Sequence, residues 1–301
     1  MPRLTRRSLL AAPAFSASLA GEPAAKPVIA SINFGRHSVS RLIVGGNPVS
    51  ANSHVSRELD IEMRDYFTSS NAKKLLAACE RAGVNTWQSR ADRHIMRLLH
   101  EYRQEGGRIQ WIAQTASEYG DLRRNLSEAS ALRPIAIYHH GSMTDKHWLA
   151  GRPETIAEAL KQIRQTGAMV GLGTHIPEVV DHAESKGWDL DFYMACVYNL
   201  SRTPQESASI AKREIKGELF WDPDRERMLE RVRRVSKPCL IFKVYGATRH
   251  CATPEARLAA LKLTFQYAKP SDAVVIGMFP KYQEQVEENC RLVMAAAPQA
   301  S

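Results

Sequence analysis

No two cysteines in the 301 residues stand at the close spacing of a zinc ribbon. There are five in all, Cys79, Cys196, Cys239, Cys251 and Cys290. That is too few for a disulfide-packed miniprotein, and an odd number leaves at least one thiol free in an oxidising compartment. Cys79 and Cys290 fall in helical patterns and read as buried free thiols. No run of lysine and arginine with interleaved aromatics occurs, so the signature of a nucleic-acid-binding surface is missing. The 41 basic side chains are spread among 32 acidic ones, as where Arg123 and Arg124 lie near Glu118 and Asp121. No glycine-rich turn follows the first strand-like run, which argues against a doubly wound dinucleotide-binding sheet. What remains is ordinary for a globular chain: 44% apolar and 24% charged residues, with length enough for a large core.

The N-terminus departs from that pattern. Met1 to Ala20 (MPRLTRRSLLAAPAFSASLA) has a basic start, a weakly apolar stretch from Leu9 and small residues at Ser18 and Ala20. Those are the parts of a cleavable signal peptide. The apolar stretch is too short to span a bilayer, so no stable membrane anchor is expected. Thr5 to Leu10 (TRRSLL) resembles the twin-arginine export signal. The resemblance implies passage through the twin-arginine translocase after folding, to the periplasm or the extracellular space. Residues 21–27 read as a Pro/Ala linker, 28–296 as the folded unit and 297–301 as a tail.

Strand and helix patterns then alternate. Val28 to Phe34 reads as a short strand entering a G-R-H-S turn. Apolar runs follow at Leu42–Gly45, Val84–Trp87, Ile109–Ala113, Ile135–Tyr138, Ala168–Leu172, Phe192–Val197, Cys239–Val244 and Ala273–Ile276. Several are apolar on successive residues, as strands buried on both faces are. Helical patterns lie between them at Asn71–Ala82, Pro153–Thr166, Pro254–Ala268 and Lys281–Ala295. Segment 222–236 has mixed charge at helical spacing and reads as a solvated helix face. Eight strand–helix units over about 250 residues predict an α/β fold, the (β/α)8 TIM barrel, preceded by a β-hairpin. The long connections Asn47–Ser70 and Ser201–Trp221 leave the strand ends where barrel enzymes place substrate loops.

Four stretches resemble the aldo/keto reductase superfamily: Phe34–Gly46, Leu75–Trp87, Gly167–Arg202 and Val275–Val293. The resemblance implies the same barrel, with carbonyl reduction by NAD(P)H. The family's chemistry rests on an Asp and a Tyr after the second strand, a Lys after the third and a His after the fourth. In this sequence those places hold Gln88, Arg93 and Ala116, and only the histidine matches, in His139-His140. The nicotinamide contacts fall on Gly173, Thr174 and Ala195, and the adenosine-phosphate contacts on Phe279, Pro280 and Gln285. The adenine-side pair alone is kept, as Glu288 and Asn289. Carbonyl reduction needs a proton donor beside the carbonyl oxygen, which neither Arg93 nor Ala116 supplies. NAD(P) is therefore weakly supported as a cofactor.

Other polar groups stand at the strand ends. They are Gln88 and Arg90, Gln114, His139 and His140, His175, Cys196, and Lys243 with Tyr245. His54, on the first long connection, is placed to fold over the same mouth. Adjacent residues of a strand point to opposite faces, so only one of His139 and His140 faces inward. Imidazoles with a thiol make a divalent metal at His140, His175 and Cys196 one expectation. Glu118 and Asp145 read as loop residues within reach. Lys243 interrupts a buried apolar run, a position that costs several kcal/mol unless the amine is paired or used. In a desolvated mouth it becomes a usable base, electrophile or imine former. Three functions follow. The first is an exported barrel enzyme acting on a small polar, sugar-like or carbonyl substrate through His139 or His140, Lys243, Gln88 and Tyr245, with or without a metal. The second is an NAD(P)-dependent oxidoreductase with a relocated donor, Tyr245 or Tyr119. The third is a non-catalytic binding protein.

Overall fold

A computed structural model describes residues 29–297. The export signal, the linker at 21–27 and nearly all of the tail therefore lie outside the described residues. The chain opens with strands β1 (Ser31–Phe34) and β2 (His37–Ser40), paired antiparallel across a turn in which Gly35 has φ +58°. Strand β3 (Leu42–Gly45) enters the barrel. The order continues α1 (Arg57–Tyr66), α2 (Ser69–Arg81), β4 (Thr86–Arg90), α3 (Arg93–Gln104), β5 (Gln110–Gln114) and α4 (Leu122–Ser130). Next come β6 (Ala136–His139), α5 (Gly141–Leu149), α6 (Pro153–Arg164), β7 (Met169–Thr174), α7 (Pro177–Ser185) and β8 (Phe192–Cys196). The chain ends with α8 (Pro204–Ala211), α9 (Pro223–Arg234), β9 (Cys239–Phe242), α10 (Pro254–Tyr267), β10 (Ala273–Gly277) and α11 (Val286–Ala296).

Strands β3 to β10 pair in parallel in chain order, and β10 returns to β3 to close an eight-stranded barrel. The (β/α)8 architecture and the N-terminal hairpin agree with the sequence pattern. The core has two parts, as parallel strands covered on both faces require. One lies between strands and helices, around Trp87, Trp111, Leu99 and Val179. The other fills the barrel lumen with Ile43, Ile112, Tyr138, Phe192 and Leu240. Ile32, Phe34 and Val39 of the hairpin join the lumen cluster and close the N-terminal end of the barrel, with Phe34 edge-on to Phe192 at 4.9 Å. Gly171 makes room for Phe192, because a Cβ there would stand 2.3 Å from the ring.

Local chemistry sets the helix starts. Thr68, Asp92 and Thr253 accept amide hydrogens at the N-caps of α2, α3 and α10, while α6, α7, α9 and α10 begin with proline. Two expectations need correction. The last helix starts at Val286, not Lys281, because residues 281–285 form a turn in which Gln285 Oε1 accepts the Phe279 amide at 2.7 Å. Segment 222–236 is not only a solvated face: Asp224, Arg225, Met228 and Leu229 of α9 are buried. Among the described residues no helix is long and apolar enough to cross a membrane.

Candidate active site

Strand register assembles the mouth. Thr174 pairs with Ala195 and Cys196 with Phe242, so His175, Cys196 and Lys243 lie side by side where β7, β8 and β9 end. The two long connections cover them. Residues 46–56 carry His54 inward, with left-handed backbone at Ala51 and His54. The second connection carries Glu218 and Phe220, braced by the buried ion pair of Arg202 with Asp224. His54 Nδ1 lies 2.7 Å from Glu218 Oε2, which joins the two coverings.

Under them lies a cavity of about 380 Å3 lined by His54, Gln88, Lys243, Tyr245, Arg257, Glu288 and Asn289, among others. Gln88, Lys243 and Tyr245, expected at the mouth, and Glu288 and Asn289, expected as the adenine-side pair, meet in this one space. Lys243 has φ +61°, a strained conformation for a side chain with a Cβ. Its Nζ is buried without a hydrogen-bond partner, 5.5 Å from the centre of the Phe220 ring. Burial lowers its pKa, against the opposing pull of Cys196 and Glu218, and Arg249 adds to the lowering. The carboxylate imagined for it, Asp145, is engaged elsewhere. Gln88 donates to the Tyr138 hydroxyl at 2.7 Å, and Tyr245 donates to Asn289 Oδ1 at 2.8 Å.

Beside the cavity, Asp145 holds His175. Asp145 belongs to α5 rather than to a loop, and it is buried. It accepts from Thr174 Oγ1 and Ser201 Oγ, each at 2.6 Å, and stands 2.7 Å from His175 Nδ1. Burial alone would lower the His175 pKa; the neighbouring Cys196 and Asp145 outweigh it and raise it to about 10. The imidazole is thereby drawn toward its protonated form beside Asp145 and Cys196.

The histidine pair resolves by geometry. His140 has Arg90 and His175 as neighbours, its Nδ1 is buried without a partner, and burial followed by those cations lowers its pKa to about 4. His139 faces away from the mouth. It bonds Thr144 Oγ1 at 2.8 Å and lines a separate cavity of about 280 Å3 with His147. Burial, then His147, brings its pKa to about 3. His139 is thus removed from the candidate catalytic set, by the strand alternation that limited the pair to one. The metal expected at His140, His175 and Cys196 also has no support: among the described residues no three His, Cys, Asp or Glu side chains are placed to hold one. His175 has turned Nδ1 to Asp145 instead.

The reductase donors do not assemble either. Arg93 faces Glu128 and the Tyr119 ring, and the Tyr119 hydroxyl donates to Glu128 at 2.7 Å, away from the cavity. Tyr245 is bonded to Asn289, so neither relocated donor stands beside a lysine as a polarised pair. Two residues of the site escaped the sequence argument. Glu218 carried no motif. Arg257 lies on α10, far from the stretch compared with the adenosine contacts, yet it joins Glu288 in the cavity wall and donates to Cys251 O at 2.7 Å. Its guanidinium supplies a cation that Phe279, Pro280 and Gln285 do not.

No protein-family model matches the sequence, and no curated protein does. Among solved structures the chain is similar to an aldo-keto reductase from Bacillus halodurans, with 11% identity and a TM-score of 0.53 over 90% of this chain and 93% of that one. It is also similar to a truncated 3-deoxy-D-arabino-heptulosonate 7-phosphate synthase from Thermotoga maritima, with 10% identity and a TM-score of 0.52 over 89% and 91%. Such identities show the shared barrel alone, and the barrel hosts unrelated chemistries.

Proposed function

We propose that the chain is a barrel enzyme acting on a small polar carbonyl compound, sugar-like in its hydroxyl content, by acid–base chemistry centred on Lys243. One observation carries this: the Lys243 amine is buried and unpartnered, and Lys243 stands in the wall of a largely apolar cavity whose few polar groups include Asn47, Gln88 and Asn289. A purely structural lysine would end in an ion pair, since an isolated buried ammonium is costly. His54, held by Glu218, shares the cavity wall with Lys243 and is the group that would move protons there. Gln88 and Asn289 supply the hydrogen bonds that orient hydroxyl groups.

The residues do not fit nicotinamide-dependent reduction, because the tyrosines of the cavity wall, Tyr245 and Tyr282, donate their hydroxyl protons to Asn289 and Glu62, and no step is derived through that cofactor. A non-catalytic binding role leaves the unpaired amine and the strained backbone at Lys243 without a purpose. The test is turnover of a panel of hydroxylated aldehydes and ketones, followed by proton NMR. We expect conversion by the wild-type chain and a loss of about 100-fold or more in Lys243→Met, the scale of a positioned acid–base group. No conversion of any panel member by the wild type overturns the proposal. The export motif at Thr5–Leu10 supports a site of action outside the cytoplasm.

A further inference from the structure

Lysine can serve a carbonyl substrate as a proton carrier or as a nucleophile. The surroundings of Lys243 distinguish these roles. Nζ has no hydrogen bond, and Glu218, a carboxylate that acts on it, is bonded to His54 at 2.7 Å, so no protein group holds the amine. A nucleophile needs its lone pair free and aimed at open space. Nζ has no hydrogen-bond partner and is shielded on one side by the Phe220 ring, and Lys243 is one of the residues in the cavity wall. The backbone at residue 243, immediately after β9, is left-handed.

The groups facing Nζ on the neighbouring elements are Cys196 at the end of β8, Glu218 and Phe220 from the covering connection, and Arg249 beyond the turn. Arg249 stacks on the opposite part of the same Phe220 environment, 3.9 Å from the ring centre. Burial favours the uncharged amine, which is the reactive form.

We propose, on the basis of the function argued above, that Lys243 forms an imine with the carbonyl carbon of a hydroxylated aldehyde or ketone. The amine nitrogen bonds to the carbonyl carbon as the C=O π pair moves to oxygen. One proton passes from nitrogen to that oxygen through the cavity, which gives a neutral carbinolamine. The carbon–oxygen bond then breaks with its electron pair on oxygen. A proton delivered through the His54–Glu218 pair lets it leave as water, and the nitrogen lone pair closes the C=N bond of the iminium. No oxidant or reductant is consumed. The iminium draws electrons from the neighbouring carbon, so the reaction class is bond making or breaking at the carbon next to the carbonyl.

The substrate class follows from the wall. Asn47, Asn52, Gln88, Thr248, Gln283 and Gln285 present neutral amides and a hydroxyl, while Arg257 and Glu288 neutralise one another. Those side chains can hydrogen-bond hydroxyl groups, and the Arg257 cation is already matched by Glu288.

The experiment treats the folded chain with glyceraldehyde or dihydroxyacetone and sodium cyanoborohydride at neutral pH, then maps reduced adducts by peptide mass spectrometry. Binding of the same compounds to wild type and Lys243→Met is measured in parallel by calorimetry. We expect the Lys243 peptide to be labelled at least about tenfold faster than that of the exposed Lys161, because burial favours the uncharged, reactive amine at Lys243 while Lys161 stays in water. Lys243→Arg, which keeps the charge, should lose that label. Labelling of Lys243 no faster than Lys161, while the wild type binds the compounds and Lys243→Met does not, overturns the imine and leaves the acid–base function standing. Neither binding nor labelling in the wild type overturns both. The wild-type measurement decides the matter even where a variant fails to fold.

Discussion

His54 and Glu218 meet at 2.7 Å across the barrel mouth although 164 residues separate them in the chain. One comes from the covering after β3, the other from the covering after β8. The contact holds together two segments that would otherwise move independently, and it places an imidazole over the Lys243 cavity.

Lys243→Met tests whether the amine is a burden on the fold. Methionine keeps the length of the side chain and the same left-handed backbone, so the comparison isolates the charge. No carboxylate is left newly unpaired, because Glu218 keeps His54. We expect stability unchanged or raised by about 1 kcal/mol in urea denaturation, together with the loss of turnover. A loss of stability of comparable size would make Lys243 a structural residue.

The pH dependence of stability should have two opposed limbs. His139 and His140 titrate at about 3 and about 4 in the folded chain, below the unfolded value near 6.5. The unfolded chain therefore binds more protons as pH falls below about 6.5, and stability is lost toward pH 4 at up to about 1.4 kcal/mol per unit for each group. His139→Met should make that limb shallower. His175 is raised to about 10, so its contribution is full below about 6.5 and is lost as pH rises toward 10. Lys243, lowered by burial, acts in the opposite sense. The alkaline limb is therefore read as the difference between wild type and His175→Gln across pH 7 to 10. A constant difference over that range would contradict a charged His175.

The barrel was legible because burial on both strand faces leaves an unmistakable pattern: Leu42–Gly45 coincides with β3 to the residue. Strand ends were less legible. Val84 is apolar and buried but lies before β4, where its amide closes the end of α2 on Cys79 O at 2.9 Å. Apolar character marks burial there, not extension. At the site, Lys243 stood out because a charge inside an apolar run is rare, and His54 because its connection was long. Glu218 and Arg257 did not stand out. Their roles depend on contacts across the fold, and a carboxylate or guanidinium on a helix or loop has the same local pattern whether it is solvated or buried.

Arg202 and Asp224 form a buried pair, with side chains 8% and 4% exposed, that anchors the covering connection to the start of α9. Asp224 also accepts the Asn199 amide at 3.1 Å. Asp224→Ala strands the guanidinium and that amide in the interior. We expect a loss of about 3 to 5 kcal/mol, measured by denaturant titration. A change within about 0.5 kcal/mol would place the pair in solvent.

Export is tested at the N-terminus. The twin-arginine pathway reads the arginine pair itself, so Arg6→Lys with Arg7→Lys should hold the precursor in the cytoplasm. Fractionation of expressing cells checks this, and unchanged appearance outside the cytoplasm would refute the signal assignment.

The hairpin packed against Phe192 makes the barrel a vessel with one opening. Ile32, Phe34 and Val39 stopper the far end, and Ile43, Ile112, Tyr138, Phe192 and Leu240 fill the lumen above them, so nothing passes along the barrel axis and traffic to the Lys243 chamber runs on the mouth side. Arrival and departure then compete for a single doorway, and that doorway is bounded by the two segments that His54 and Glu218 join. Residence time in the chamber becomes a property of the doorway as much as of the chemistry, so product should compete directly with substrate for entry.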